Sequence, residues 1–364
     1  RAREILGTGW RVGALVGGLS LLGAAPLRAE GPSLTDLVAA WLSAPHGDHH
    51  ALSFTYWNKD GAVPVACAAC HSEPGFIDFL GADGSEPGVV SQPAPINAPI
   101  GCASCHTAEA HALDAVRFPS GVTVAGLGHN AVCAVCHQGR QSGEAVARAI
   151  GDRADDSVDP GLSFLNVHYG IAAAMSYGAE VGGGYHYPGR SYAGRFAHVP
   201  SASTCVDCHE PHSTAVETAG CISCHRGVED MRAIRTRHGD FDGDGRIDGG
   251  IHSEIVGLHR QLGAAIARYA AEVAGAPIGY ANAFPYFFND TNADGVIDET
   301  EARPPNRYAS WTPRLLRAAY NYQVIAKDPG AHVHNPAYAL QLLHDSLADL
   351  GGALGLDLSG IRRP

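Results

Sequence analysis

Cys67-Ala68-Ala69-Cys70-His71 decides how this chain is read, because the same arrangement returns four times. It recurs as Cys102-Ala103-Ser104-Cys105-His106, Cys133-Ala134-Val135-Cys136-His137, Cys205-Val206-Asp207-Cys208-His209 and Cys221-Ile222-Ser223-Cys224-His225. All ten Cys fall in these five pairs. Two thiols three positions apart can add to the two vinyl groups of one porphyrin, and the adjacent His then reaches the iron as proximal ligand. Zinc ribbons and disulfides use paired Cys but have no need of the following His. With 20 His in 364 residues, a His after all five pairs by chance has odds of about 5 × 10⁻⁷. The expected cofactors are five haem c groups, each held by one motif.

The remaining composition fits an exported protein. Arg1, Arg3 and Arg11 precede an apolar run from Val12 to Ala25, and Leu27-Arg28-Ala29 offers a cleavage point. This pattern predicts a signal peptide over 1–29 and a periplasmic, cell-surface or extracellular address. Without those residues the chain carries 21 Lys and Arg against 36 Asp and Glu, a net charge of −15. Nucleic acid and anionic membrane surfaces are poor partners for such a chain, and basic redox proteins or oxidised extracellular acceptors are better ones. No integral membrane segment is expected after the signal.

The first Cys of each motif stands at 67, 102, 133, 205 and 221, too irregular for a simple repeat. With 45 Gly and 22 Pro, the expected fold is mainly α with much irregular loop, organised by haem over 30–229. A short helix over Leu34–Leu42 with Ser33 as N-cap, a helix over Leu162–Tyr177 and a small β-hairpin over Tyr185–Tyr192 are expected there. A haem-free C-terminal helical cap over 230–364 follows, with helices over Ser253–Ala274, Pro313–Lys327 and Pro336–Leu350, the last stopped by Gly351-Gly352.

Two loops in the cap have the oxygen spacing of an EF-hand. Asp290, Asn292, Asp294, Val296 (through its carbonyl), Asp298 and Glu301 occupy positions 1, 3, 5, 7, 9 and 12, with Gly295 at 6. Oxygen donors with a twelfth-position Glu suit Ca²⁺. Pro304-Pro305 prevents a long exit helix, so a structural pin is expected and not a sensor. The earlier loop places Asp240, Asp242, Asp244, Arg246 (carbonyl) and Asp248 in the first nine positions but Ile251 at the twelfth. A cation there must find another oxygen, with Glu254 a candidate.

Fifteen His lie outside the motifs and can supply at most five sixth ligands. His212 follows His209 across a stiff Pro, His198 lies in an aromatic stretch, His168 sits among apolar residues and His334 precedes Asn335-Pro336. His46, His49 and His50 are not separable by position.

Several segments between the motifs resemble those of exported bacterial multihaem c-type cytochromes of the electron-transfer kind. They are Phe54-Thr55-Tyr56-Trp57, Phe79–Gly84, Cys136-His137-Gln138-Gly139-Arg140, Asn166-Val167-His168-Tyr169, Phe196-Ala197-His198-Val199, Asp240–Asp244 and Ser310–Pro313 through Lys327–Gly330. The resemblance implies a multihaem cytochrome c fold with His46, His168, His198, His212 and His334 as distal ligands. Electron transfer through bis-His haems is then the leading expectation, with an electron carrier favoured over a substrate-converting enzyme. The resemblance also brings in haem-lined filaments of identical subunits, in which His46 could reach a neighbouring copy. The rival activity is a multihaem reductase of nitrite, hydroxylamine or a sulfur oxyanion, which needs one open iron; all five proximal residues here are His, and no CxxCK variant occurs.

Overall fold

A computed structural model describes residues 31–364; the segment 1–29, expected as a signal peptide, lies outside the described residues. The described chain opens on a helix over Leu34–Ser43. Its capping box is complete: Ser33 Oγ accepts the Asp36 N–H at 3.2 Å and the Asp36 carboxylate accepts the Ser33 N–H at 3.0 Å. Four motifs lie on or at the end of short helices, Val65–His71, Ala103–His106, Asn130–His137 and Thr218–Cys224, and the other begins on a 3₁₀ turn, Cys205–Asp207. One helical turn brings residues i and i+3 to the same face, so both thiols of a pair look to one side.

Three long helices, Ile251–Glu272, Pro313–Ala326 and Pro336–Leu354, form the C-terminal body. Thr312 and Asn335 cap the last two, accepting from the N–H of Leu315 and Tyr338 at 3.1 Å each, with Pro in the first turn. Leu258, Leu262, Tyr269, Leu315, Leu316, Tyr320, Tyr338 and Leu342 fill the space between these helices. The core does not stop at residue 230. It continues without a break into Phe76, Val135, Val146, Val167 and Ile171 of the motif-bearing half. No described helix is long and apolar enough to cross a membrane.

The mostly helical, loop-rich class is as expected, but three local expectations are corrected. Only Ala172–Tyr177 of the segment Leu162–Tyr177 is helical. His168 at φ +81° and Gly170 at φ +61° turn the chain away from a helical path. Tyr185–Tyr192 forms no hairpin. The strand pairs among the described residues are Val116–Arg117 with Thr123–Val124 and Ile278–Tyr280 with Phe287–Asn289, both antiparallel. Backbone groups of Tyr185 are satisfied instead by the side chain of Asn321, which accepts its N–H at 2.7 Å and donates to its carbonyl at 3.0 Å. The last helix runs through Gly351-Gly352 and ends at Gly355, which adopts the left-handed cap. Gly351 serves close packing instead: a Cβ there would lie 2.9 Å from Leu358. A helix over Gly143–Ile150 was not foreseen.

Residues 155–185 are bound to the helical body by polar contacts as well as by the core. Arg317 pairs with Asp155 at 2.7 Å and Asp349 at 2.9 Å, and Arg314 with Asp156 at 2.7 Å. Gln323 Oε1 accepts the Val167 N–H at 2.9 Å and Tyr338 OH accepts that of Gly184 at 2.9 Å. Asn321 is fully buried and also donates to Ser346 Oγ at 3.0 Å. Asn321→Ala would leave both Tyr185 backbone groups buried and unpaired, so a loss of roughly 2–4 kcal/mol in denaturant-unfolding stability is expected.

Candidate haem and cation sites

Three of the five motif imidazoles are oriented by what their Nδ1 atoms bond. His71 Nδ1 donates to the Ser53 carbonyl at 2.9 Å, His137 Nδ1 to the Gly170 carbonyl at 2.8 Å and His209 Nδ1 to the Thr214 carbonyl at 3.3 Å. With Nδ1 occupied, Nε2 is left bare to meet a metal. Burial lowers the pKa of His46, His71 and His137, and takes His168 down to about 4. Four of the ten imidazoles singled out in the sequence are therefore held neutral at pH 7, the form that can ligate.

Folding places a second imidazole opposite four of the five proximal ones. Ring centroids are 5.8 Å apart for His71 and His168, 6.3 Å for His106 and His212, 6.2 Å for His137 and His46, and 5.9 Å for His225 and His198. Two imidazoles bonded to opposite sides of one metal at about 2 Å each have centroids roughly 6 Å apart. His209 and His334 both lie close enough to His137 for their charge to disfavour its protonation. His46 thus faces a ring of its own chain, whereas the rings of His49 and His50 lie against one another, tilted, with centroids 4.1 Å apart.

The ring of His334, expected as a distal ligand, is backed by Asp328, whose two carboxylate oxygens accept from Nδ1 at 2.8 and 2.9 Å. Burial opposes charging of His334, but the hydrogen bond and the charge of Asp328 outweigh it and raise its pKa. Gly330 makes room for this ring, since a Cβ there would lie 2.5 Å from His334 Cε1. His212 Nδ1 donates to Glu210 Oε1 at 3.0 Å.

The motifs are not neighbours in sequence order. Cys70 of the first motif and Cys136 of the third are within hydrogen-bonding reach, as are Cys133 of the third and Cys205 of the fourth. Asn130 Oδ1 accepts the Cys205 N–H at 2.9 Å, and Glu73 ties the first motif to the second by accepting the Ala103 N–H at 2.9 Å. All ten Cys are free of disulfides.

The residues present fit haem. Around the fourth and fifth motifs no residue from 201 to 230 is buried, and Val199, Val206, Val216 and Ile222 stand exposed. Such a line of apolar side chains is the surface a porphyrin covers. Sequence reasoning passed over His111, which lies 6.2 Å from His106 and 5.8 Å from His129. Its place five residues after His106 was the only available signal.

The cation loops are partly assembled. Asp240, Asp242 and Asp244 each place a carboxylate oxygen within 4.8 Å of the others. Burial, followed by neighbouring carboxylates, pushes Asp242 up to about 6. Asp248 instead pairs with Arg246 at 3.3 Å in solvent. Glu254 is not available as the missing oxygen: it pairs with Arg235 and accepts the N–H of Phe241 and Asp242. In the second loop Glu301 reaches back to the Thr291 N–H at 2.7 Å, closing position 12 over the start. Asp290 is buried with one oxygen lacking any partner. Asn292 and Asp294 are joined at 2.9 Å, and Asp298 caps Thr300 and Glu301.

The "C-type polyheme cytochrome OmcB" of Geobacter sulfurreducens is 27% identical over 412 residues, covering 93% of this chain and 51% of that protein. The "C-type polyheme cytochrome OmcC" of the same organism is 27% identical over 396 residues, covering 89% and 47%. No family model matches, and no solved structure does. Five attachment motifs, together with likeness to these polyhaem cytochromes along nine-tenths of its length, support reading this chain as a multihaem c-type cytochrome. The chain spans about half the length of the curated relatives it matches.

Gly170 tests the link between loop and ligand. Its φ is +61° and an added Cβ would lie 3.0 Å from His137 Nδ1, whereas Gly189, at φ +76°, has open space. Gly189→Ala should cost only left-handed strain, about 1–2 kcal/mol. Gly170→Ala should lower the melting temperature further and, unlike Gly189→Ala, disturb the low-spin haem spectrum.

Proposed function

We propose that the chain carries electrons through five covalently bound haem c groups, each closed by two His, in periplasmic or extracellular respiration. The facing His pairs at 5.8–6.3 Å carry this reading. His71 pairs with His168, His106 with His212, His137 with His46 and His225 with His198. His209 and His334 remain as the fifth pair, and both act on His137. Bound haem iron supplies a one-electron couple; the chain's part is to fix both ligands, exclude water and hold neighbouring sites close. Motif contacts running from first to third to fourth support a continuous path. The fourth and fifth motifs follow within eleven intervening residues, and the second adjoins the first through Glu73.

This pairing leaves no iron open for a substrate, so it argues against a reductase. His46 opposite its own His137 argues for closure within one chain, without the neighbouring copy that filament ligation would require. The acidic surface favours basic redox proteins or oxidised extracellular acceptors as partners. Ca²⁺ in the two loops would pin the helical body. Asp290's unpartnered oxygen and the mutually repelling carboxylates of Asp240, Asp242 and Asp244, of which Asp242 is buried, support that role.

Intact mass and pyridine haemochrome assays should give five haems per chain, and EPR five low-spin irons. A high-spin ferric signal, or a carbon monoxide adduct on reduction, would sink the closed-site reading. His168→Ala should convert one iron in five to high spin. Added to Cys67→Ser/Cys70→Ser, which removes the paired haem, the same substitution should produce no further high-spin iron. Calcium removal by a chelator should lower the melting temperature of the holoprotein, with recovery on adding Ca²⁺, and Asp290→Ala should blunt that response.

A further inference from the structure

Resting on the axial pairs just assigned, we propose that the consecutive residues Lys327 and Asp328 split the reduction potentials of two irons. The ammonium of Lys327 raises the potential of the site closed by His168, and the carboxylate of Asp328 lowers that of the site closed by His334.

Both side chains are almost fully buried, at 4% exposure each. Asp328 bonds His334 Nδ1 through both oxygens and also accepts the Gly330 N–H at 3.2 Å. A carboxylate accepting Nδ1–H makes the imidazole a stronger electron donor and favours the ferric, more positive state. The proximal rings of His71, His137 and His209 bond neutral carbonyls; Asp328 also acts on His137, but only through space, without the hydrogen bond it makes to His334. Glu210 behaves toward His212 as Asp328 does toward His334. That pair is about one-third exposed at both side chains, however, and water and salt screen it.

Lys327 points the other way. Its ammonium donates to Asn282 Oδ1 at 2.6 Å and lies 3.7 Å from the ring centroid of Tyr169 and 4.3 Å from that of Tyr286. Those rings and the amide hold the charge without a carboxylate at these contacts. The Tyr169 ring lies 5.7 Å from that of His168, so one ring separates the Lys327 ammonium from that imidazole. A positive charge held there opposes the extra positive charge of a ferric iron at the same site. Burial lowers Lys327 to about 8, which keeps it charged at pH 7. The main chain between two adjacent residues thus directs opposite charges at two different sites.

Spectroelectrochemical titration of purified holoprotein at pH 7 tests this. Asp328→Asn should move about one-fifth of the haem absorbance to more positive potential, and Lys327→Met about one-fifth to more negative. The expected change in the oxidised-to-reduced ratio at fixed potential is roughly tenfold for the affected haem, about 59 mV for a one-electron couple. The double variant should carry both shifts. Lys327→Arg and Asp328→Glu, which keep the charges, should titrate close to the unaltered protein. Curves that superimpose while EPR still counts five low-spin irons, or shifts of opposite sign, would overturn the proposal. Failure of the underlying pairing is distinguishable: His168→Ala or His334→Ala would then leave every iron low-spin.

Discussion

The hydrogen bond from Nδ1 of His71, His137, His209, His212 and His334 to a fixed oxygen is the constraint around which the structure is arranged. An imidazole on a flexible side chain can present either nitrogen in many directions, and an iron site needs Nε2 in one. Ser53, Gly170 and Thr214 supply that restraint through carbonyls, and Glu210 and Asp328 through carboxylates. Gly170, Thr214, Glu210 and Asp328 lie in irregular segments, whereas Ser53 stands in the short helix Leu52–Thr55. Gly170 and Thr214 adopt left-handed conformations to aim their carbonyls, as does His168 in reaching His71. The cost of such backbone is met by the rigid body behind it.

Two short loops each serve two sites. In Val167–Gly170, His168 faces His71 while the Gly170 carbonyl holds His137. In His209–Thr214, His209 belongs to the fourth motif, His212 faces the ring of the second and the Thr214 carbonyl returns to His209. Sites that share a few residues of backbone are kept near each other. Close spacing is what an electron path requires, and here it follows from local chain geometry as well as from global packing.

The helical body contributes directly to these sites. Gln323 fixes the Val167 N–H, Asn321 and Tyr338 fix Tyr185 and Gly184, and the turn after the Pro313–Ala326 helix carries Lys327, Asp328 and His334. Its buried Leu and Tyr side chains give a foundation that does not depend on porphyrin for its packing. The segment 201–230, with nothing buried by protein alone, is the converse case. There the expected cofactor is a structural component, because the polypeptide has too few apolar contacts of its own to close a core.

The attachment motifs were legible from sequence because their chemistry is local: two thiols and an imidazole within five residues specify one haem whatever the rest of the chain does. The three long helices were legible for a related reason, since caps, Pro at the first turn and apolar periodicity act within a few turns. Tyr185–Tyr192 misled, because alternation can serve a strand or a segment whose backbone is bonded by a distant Asn321. The run through Gly351-Gly352 misled because glycine marks either a helix end or a close approach, and Leu358 made it the second. Which imidazole stands opposite which was not written in any local pattern. His46 and His137 are 91 positions apart, His106 and His212 are 106, and only the common core of residues 76–350 sets them face to face. The sequence by itself determined the haem chemistry and the helices that carry it. The tertiary structure decided the pairing and the charges directed at each site, because these depend on distances between segments brought together only when that core closes.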